Sequence, residues 1–413
     1  MNISTDLAEK LLDYLGSQDD PDAEQLRGQL RECLELHKSA TAAIQSNNPF
    51  DRELVVRKKA IWGKGFPDLL SLHSHASDAV FEAIEEIRSG QRQVIGITVT
   101  GDKGLGKTHL ISRIRHHLQE EDTLFVYMDS YADLNNIQAE FLNTLSNSLK
   151  QPGAQEASQW QELAAAFVNE ALDKDHPPRH LVAKFAEVIG NKPDTIDELT
   201  DKVIEARPDE LDENPDLVRA ILWTLSPKHA SYVANWMGGK TLSKQAAEIF
   251  GLPESPNADA FERIRQLLDL ISIHRTIVIC FDSLDVSETN DSGLTTAQCV
   301  AHLAKDLCCH IDRGVVLTAI YPATLEYQVR DLPNAEEIME RLGERICELN
   351  GLDPDSVVDL VGFWLQDFYE QQGLTPPHPL YPFNEGTLRD LGRERPNTRR
   401  VLKWCQENWL SAL

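Results

Sequence analysis

Hydrophobic residues along the chain occur in short unbroken runs and in longer segments of helical spacing. These mainly apolar runs lie at 94–100, 123–131, 276–281 and 314–321, the second with Asp129 and Ser130 near its end. Apolar runs of this length, rich in β-branched residues, are typical of strands that are buried on both faces. Helical spacing predicts two helices within 3–48 and single helices at 74–89, 136–150, 258–273 and 296–311. The alternation of strands and helices predicts an α/β fold with a parallel sheet.

The turn after the first run carries a phosphate-binding pattern. Residues 101–108 match G-x-x-x-x-G-K-[ST], with a strand before them and a helix after them. The glycines allow the backbone to aim N–H groups at phosphate oxygens, and the N-terminus of the next helix adds positive charge. Lys107 would contact the β- and γ-phosphates, and the Thr108 hydroxyl would bind Mg²⁺. The predicted nucleotide-binding residues are Gly101, Asp102, Lys103, Gly104, Leu105, Gly106, Lys107, Thr108 and His109.

Two later runs supply further polar candidates. The third run is followed directly by Asp282, which would hold Mg²⁺ opposite Thr108, usually through water. Asp285, three positions on, could act as a base or orient the attacking water. Thr318 lies near the end of the fourth run, where it could orient water or touch the γ-phosphate. The alternative for Thr318 is an ordinary β-branched strand residue.

Residues 154–254 differ in character from the segments around them. They read as helices interrupted by polar breaks that contain proline, and the segment 194–216 is strongly acidic. This pattern predicts a helical insertion, which serves either interaction and regulation or only as solvated structure. Residues 191–194 match the guanine-reading motif N-K-x-D, but no D-x-x-G lies between them and the phosphate-binding loop at 101–108, the P-loop. ATP is therefore favoured over GTP.

Composition and charge narrow the class of protein. The 413 residues carry a formal net charge of -26, which excludes a uniformly basic nucleic-acid surface but not a local basic patch. The seven cysteines form no CxxC pair, which favours free thiols in a reducing compartment. The N-terminal segment is acidic where a signal peptide needs basic residues, and no apolar stretch reaches the length of a membrane span. We expect a cytoplasmic protein that does not enter a membrane.

Taken in this order, the P-loop, the strand with its aspartate, the following strand and the helical C-terminal part resemble AAA+ ATPases. The resemblance covers about 60–110 and 255–413 and is greatest to the Orc/Cdc6-like and STAND-type branch. It implies an N-terminal helical segment (1–60), an AAA+-like nucleotide-binding domain (61–325, with the insertion at about 154–254) and a helical lid (326–413). The fold class is thus an α/β P-loop NTPase with a parallel sheet core, a helical insertion and an all-helical C-terminal lid.

The resemblance also implies roles for individual arginines. Residues 338–349 resemble the stretch that carries a trans-acting arginine finger, for which Arg341 is the first candidate and Arg345 the second. Residues 396–399, Pro-Asn-Thr-Arg, resemble the sensor-2 motif, which assigns that role to Arg399 or Arg400. An arginine from a neighbour or from the lid would neutralise charge on the γ-phosphate during transfer.

The chain departs from the family pattern in two places. Ser283 follows Asp282 where AAA+ proteins usually have glutamate, and Pro396 stands where sensor 2 has glycine. If Asp285 does not reach the attacking water, the protein is a slow ATPase or a nucleotide-gated switch. The segment before the P-loop helix commonly borders the adenine in ring ATPases, which suggests Trp62, Phe66 or Leu70 for that contact.

The resemblance implies two functions, and the P-loop alone leaves a third to be weighed against them. The first is an ATP-hydrolysing protein that forms a homo-oligomeric ring or filament and loads, remodels or licenses a client, probably on DNA. Its DNA contacts would come from Arg57-Lys58-Lys59 or from a lid cluster of Arg389, Arg393, Arg395, Arg399, Arg400 and Lys403. The second is a STAND-type switch or scaffold, as in bacterial defence, that acts through a separate effector protein. The third, a small-molecule P-loop kinase, is disfavoured by the sensor-like lid.

Overall fold

A parallel sheet of five strands forms the centre of the protein. The computed structural model describes residues 5–17, 21–51, 61–63, 68–119, 123–191 and 195–412. The strands are β1 (Val94–Thr100), β2 (Thr123–Met128), β3 (Thr276–Phe281), β4 (Gly314–Ile320) and β5 (Arg345–Glu348). Their order is β2-β3-β4-β1-β5, and every pair is parallel. This sheet confirms the predicted α/β class.

Seventeen helices of seven or more residues lie within the described parts of the chain. They are α1 (Thr5–Gly16), α2 (Pro21–Ser46), α3 (Ser74–Arg88), α4 (Lys107–Leu118), α5 (Ile137–Leu149), α6 (Gln159–Leu172), α7 (Pro178–Asn191), α8 (Thr195–Ala206), α9 (Pro215–Trp223), α10 (Ala230–Met237), α11 (Lys244–Phe250), α12 (Ala260–His274), α13 (Thr296–Cys308), α14 (Ala335–Leu342), α15 (Pro354–Gln372), α16 (Glu385–Gly392) and α17 (Thr398–Asn408). None of these described helices combines the length and apolarity that crossing a bilayer requires.

The strand order places a crevice above β1. The chain leaves β1 through α4 and returns to the sheet at β2, on its far edge, whereas β4 and β5 flank β1 on its two sides. In open parallel sheets, ligands bind at the carboxyl ends of the strands where the strand order changes direction. The loop that follows β1 therefore lies at the expected binding position.

The two faces of the sheet belong to different hydrophobic cores. Helices α3 and α4 cover one face, with residues such as Ile84, Ile97 and Ile111 fully buried. Helices α5, α12 and α13 cover the other face, and this core continues into the insertion through Trp160 and Trp236. The helices between 159 and 250 are thus packed onto the sheet core rather than suspended in solvent.

One residue of the central strand lies under a crossing helix. A Cβ atom on Gly96 would overlap the backbone carbonyl of Arg341 at the end of α14. Two residues further along β1, the Thr98 hydroxyl donates to the Leu342 carbonyl oxygen at 2.7 Å. The backbone of α14 therefore rests directly on β1, and only glycine leaves room for it at position 96.

The N-terminal helical segment packs onto the lid. Phe50 stacks on Trp364, with ring centroids 5.6 Å apart, and both belong to one core with the buried residues of α15, α16 and α17. The Trp409 indole donates to the carbonyl oxygen of Ile44 at 3.0 Å. We call residues 21–51 and 354–412 together the lid body, because these two parts of the chain share one interior.

Candidate functional site

The P-loop turns tightly into α4. Gly104 and Gly106 adopt φ angles of +90° and +103°, which residues other than glycine rarely adopt. Lys107 is 8% exposed, donates to the Gly101 carbonyl oxygen, and lies 4.1 Å from the ring centroid of Tyr321. Burial lowers the pKa of Lys107, and the carboxylates of Asp285, Asp282 and Asp102 oppose this shift. The lysine is thus desolvated and held at the position where a phosphate would enter.

Asp282 forms an oxygen-rich cluster at the carboxyl end of β3. Its Oδ2 atom accepts from the Thr108 hydroxyl at 2.6 Å and from the Tyr127 hydroxyl at 3.0 Å. Its Oδ1 atom accepts from the Ser283 backbone N–H at 2.7 Å. Burial raises the pKa of Asp282, while the bonds from Thr108, Ser283 and Tyr127 oppose the rise. A buried carboxylate beside a hydroxyl is the hard oxygen set that Mg²⁺ prefers, so these residues fit the predicted ion.

Asp285 reaches the same cavity although it is not adjacent to Asp282 in sequence. Ser283 adopts a φ of +60°, which turns the loop after β3 back toward the site. The Asp285 Oδ1 atom accepts from the Tyr321 backbone N–H at 2.9 Å. Asp282, Asp285 and Lys107 all line one cavity of about 460 Å³.

The structure corrects the expectation for Thr318. Its hydroxyl lies 2.9 Å from the Thr98 hydroxyl, in a small space between the sheet and α13, and the residue does not line the main cavity. Successive strand residues point to opposite faces, and Thr318 lies on the face that α13 covers. The ordinary strand alternative therefore describes Thr318. Tyr321, just past the strand end, lines the cavity in its place.

Seven of the nine predicted P-loop residues line the cavity. Gly101 and Asp102 do not, but their carbonyl oxygens accept from the Lys107 ammonium group. The lining P-loop residues are Lys103, Gly104, Leu105, Gly106, Lys107, Thr108 and His109.

The other end of the cavity is apolar. Leu69 and Leu72 from the segment before α3, and Leu360, Trp364 and Leu402 from the lid body, line it. An apolar wall of this kind suits a stacked nucleobase.

The residues predicted beside the base occupy other positions. Leu70 is 70% exposed, and Trp62 packs edge-on against Phe125 instead of lining the cavity. Phe66 lies outside the described residues. Arg113 of α4 holds the leucines that do line the apolar end of the cavity. Its guanidinium group donates to the carbonyl oxygens of Leu69 at 2.9 Å and Leu72 at 2.8 Å. Trp62 and Leu70 are therefore not part of the cavity lining, and the assignment of Phe66 stays a prediction.

The lid and finger arginines separate into distinct environments. Arg399 lines the cavity, whereas Arg400 is exposed and paired with Glu394. Arg345 donates to Glu86 at 2.6 Å and to the Ala79 carbonyl oxygen at 3.0 Å, which ties it to α3.

Arg341 is placed differently from the other three arginines. It is exposed at the end of α14, does not line the cavity and has no ion-pair partner among the residues that the structure describes. Arg399 therefore reaches the site within one chain, and Arg341 is the finger candidate that is still available to a neighbour.

The basic cluster of the lid is largely neutralised by carboxylates. Arg389 pairs with Asp355 at 2.6 Å and with Glu385 at 2.7 Å. The remaining pairs are Arg393 with Asp390, Arg395 with Asp353, Arg400 with Glu394 and Lys403 with Glu407. A phosphate backbone would have to compete with each of these carboxylates, which weakens the case for DNA binding here. The other basic cluster, residues 57–59, lies outside the described residues.

The guanine-type motif lacks its usual context. Asn191 is the last residue of helix α7, whereas the motif should follow a strand. Residues 192–194 lie outside the described parts of the chain.

Comparison with known proteins gives one family match. The family model described as "AAA ATPase domain" matches residues 74–308, which is more than half of the chain. The matched range contains the P-loop, Asp282, Asp285 and the helical insertion. No curated protein sequence matches the chain. The match does not distinguish among branches of the family, so the Orc/Cdc6-like resemblance stays a prediction.

Proposed function

Because the chain belongs to the AAA ATPase domain family, we propose that it binds ATP with Mg²⁺ in the cavity above β1 and hydrolyses the bond between the β- and γ-phosphates, releasing ADP and phosphate. The observation that carries this proposal is the convergence of Lys107, Thr108, Asp282 and Asp285 on one cavity with an apolar far end. A phosphate end and a base end within about 460 Å³ match the size and polarity of a nucleotide site.

Each residue has a definite part in this proposal. The backbone N–H groups of the P-loop and the Lys107 ammonium group bind the phosphates, and Thr108 and Asp282 hold the ion. An Mg²⁺ ion held by these two residues would supply positive charge that offsets the negative charge of the phosphates. Asp285 orients the attacking water or accepts its proton, and the Tyr321 N–H fixes the direction of that carboxylate. Arg399 approaches the γ-phosphate from the lid.

We further propose that Arg341 completes the site of a neighbouring subunit in a ring or filament. Replacing Arg341 by alanine is expected to lower kcat by on the order of a thousandfold with little change in ATP affinity, as loss of an arginine finger does. Steady-state hydrolysis and nucleotide titration would measure both quantities. Arg345→Ala is the matched control: it should lower the unfolding midpoint, because Arg345 is tied to Glu86, and reduce kcat far less.

Mixing two inactive variants tests whether Arg341 acts between subunits. Lys107→Ala lacks the phosphate-binding lysine but keeps its finger, and Arg341→Ala has the reverse defect. Random head-to-tail pairing would restore about a quarter of the wild-type rate in an equal mixture. A mixture that stays as inactive as its components would contradict a finger that acts between subunits.

The alternative is a STAND-type switch in which the bound nucleotide, rather than its turnover, holds an assembled state for a separate effector. The observation that favours it is Ser283 in the position next to Asp282, since Asp285 reaches the cavity only through a turned loop. The deciding measurement is ATP hydrolysis over a range of protein concentrations, with and without duplex DNA, beside Lys107→Ala. A rate per subunit that rises with concentration supports the assembling ATPase. A flat, very slow rate together with tight ATP binding supports the switch.

DNA is the least supported partner in this scheme, because the basic residues of the lid cluster other than Arg399 are paired with carboxylates. Stimulation of hydrolysis by duplex DNA at physiological salt would support a client on DNA. Its absence would leave a protein client or effector.

A further inference from the structure

Asn397 stands where the lid body touches the P-loop. Its side-chain Nδ2 donates to the Lys103 carbonyl oxygen at 3.0 Å. Its Oδ1 accepts from the Arg400 backbone N–H at 2.8 Å, which makes Asn397 the N-cap of α17. The Arg399 backbone N–H in turn donates to the Gly104 carbonyl oxygen at 3.4 Å. Two consecutive carbonyl groups of the P-loop are therefore bound from the lid.

The fit around Asn397 is close on both sides. A Cβ atom at Gly104 would lie 3.1 Å from the Asn397 Cγ atom, and the three nearest atoms all belong to Asn397. On the lid side, the Leu352 backbone N–H donates to the Pro396 carbonyl oxygen at 2.9 Å, which holds the residue just before Asn397. Asn397 thus links the lid body directly to the P-loop.

The geometry of the peptide unit relates this contact to the N–H group on the opposite side of the P-loop. In a trans peptide the C=O and the following N–H point in opposite directions. A donor that holds the Lys103 carbonyl from outside therefore directs the Gly104 N–H toward the opposite side, where the phosphates bind. The Leu105 N–H donates to the Asp102 carbonyl oxygen at 3.3 Å, so the second bond from the lid, from the Arg399 N–H to the Gly104 carbonyl, fixes the turn, and the Gly104 N–H is the donor directed inward. Hydrogen bonds in series also polarise one another, which strengthens the inward N–H as a donor.

We propose that Asn397 is a positioning residue that completes the phosphate cradle from the lid, so that lid closure and P-loop occupancy are coupled for ADP and ATP alike. This inference rests on the proposed nucleotide site. Arg399 would report the γ-phosphate, whereas Asn397 would report any nucleotide whose phosphates occupy the cradle. The two neighbouring residues thus separate occupancy of the site from the presence of ATP.

The test uses the full chain and compares Asn397→Ser with Asn384→Ser. Serine remains a good N-cap but is too short to reach the Lys103 carbonyl, so Asn397→Ser removes the contact and keeps the cap. Asn384 caps α16 in the same lid and, among the described residues, forms no hydrogen bond to the P-loop, which makes it the matched control. Affinities for MgADP and for a non-hydrolysable MgATP analogue would be measured by calorimetry, with unfolding midpoints beside them.

Asn397→Ser is expected to lower the affinity for both nucleotides by a similar factor of about ten. This is the effect of losing one hydrogen bond that supports the phosphate site. Asn384→Ser should leave both affinities unchanged, and Arg399→Ala should weaken the ATP analogue alone. In hydrolysis, Asn397→Ser should raise KM and leave kcat nearly constant. A general loss of structure would instead move the unfolding midpoint and both kinetic constants.

Two results would overturn the inference while the nucleotide site stands. One is an Asn397→Ser protein with wild-type affinity for both nucleotides, and the other is a loss confined to the ATP analogue. A wild-type protein that binds neither nucleotide would overturn the proposed function, and this inference with it.

Discussion

Replacing Asp282 by asparagine is expected to lower ATP hydrolysis by on the order of a hundredfold or more and to make the nucleotide-free protein more stable. The activity falls because the amide supplies a weaker ligand for the Mg²⁺ ion that the proposed site would hold opposite Thr108. The stability rises because Asp282 is only 3% exposed and its burial penalises the charged form. The Thr108 and Tyr127 hydroxyls can accept as well as donate, so both retain a partner.

The stability gain depends on pH with a definite sign. Because the folded-state pKa of Asp282 is raised above its ordinary 3.8, the folded protein binds this proton more tightly than the unfolded chain. The resulting stability is fully present below the ordinary pKa and is lost as the pH rises through the raised value. Asp282→Asn should therefore exceed wild type in unfolding midpoint near neutral pH, and the difference should vanish as the pH approaches 3.8.

The control for this prediction is Asp285→Asn, which should also slow hydrolysis but leave the Mg²⁺ requirement unchanged, because Asp285 bonds to the Tyr321 N–H and not to Thr108. Hydrolysis rates against Mg²⁺ concentration, and thermal unfolding without nucleotide, measure both parts. An Asp282→Asn protein that is less stable than wild type at neutral pH would show that the carboxylate stabilises the fold.

The second large effect is expected at Gly96. An added methyl group there meets the Arg341 carbonyl, which belongs to a helix backbone and cannot move without lifting α14 from β1. Gly96→Ala should therefore lower the free energy of unfolding by about 3 kcal/mol, the upper part of the range for overpacked cores, and reduce expression of folded protein.

Gly28→Ala is the same chemical change in a different place. Gly28 lies in α2, and nothing approaches within 4 Å of an added Cβ atom there. Alanine should raise the free energy of unfolding by up to about 1 kcal/mol, because it lowers the backbone entropy of the unfolded chain. Urea unfolding of the two variants should move the midpoint in opposite directions. If Gly96→Ala unfolded at the same urea concentration as Gly28→Ala, the result would mean that α14 shifts freely over β1.

The sequence was most informative where a residue's chemistry acts locally. The P-loop glycines, Lys107 and Thr108 sit within eight consecutive positions, so strand, turn and helix place them together without help from distant residues. Asp282 could be predicted for the same reason, since a buried run that ends in a carboxylate has one natural position on a parallel sheet.

The missed features depend on contacts that periodicity does not record. Residues 345–348 fall within the segment 326–413 that is predicted to be all helical, and they form strand β5 because β1 offers a free edge. Tyr127 resembles an ordinary aromatic strand residue until β2 is paired with β3, which brings its hydroxyl to Asp282. Thr318 shows the converse error: the strand was correct, but its polar residue faces away from the cavity.

The lid body also has a consequence for the order in which the protein can be built. Ile44 and Trp409, which are hydrogen-bonded, are 365 residues apart in the chain. At ordinary rates of synthesis the ribosome needs roughly 20 to 70 seconds to cover that distance. During this interval the apolar face of α2 lacks the C-terminal residues that it packs against. The sheet, by contrast, can form once β5 has emerged. The contact of Asn397 with the P-loop also forms only after β5 has emerged, so a nascent chain acquires its sheet before it acquires a complete phosphate cradle.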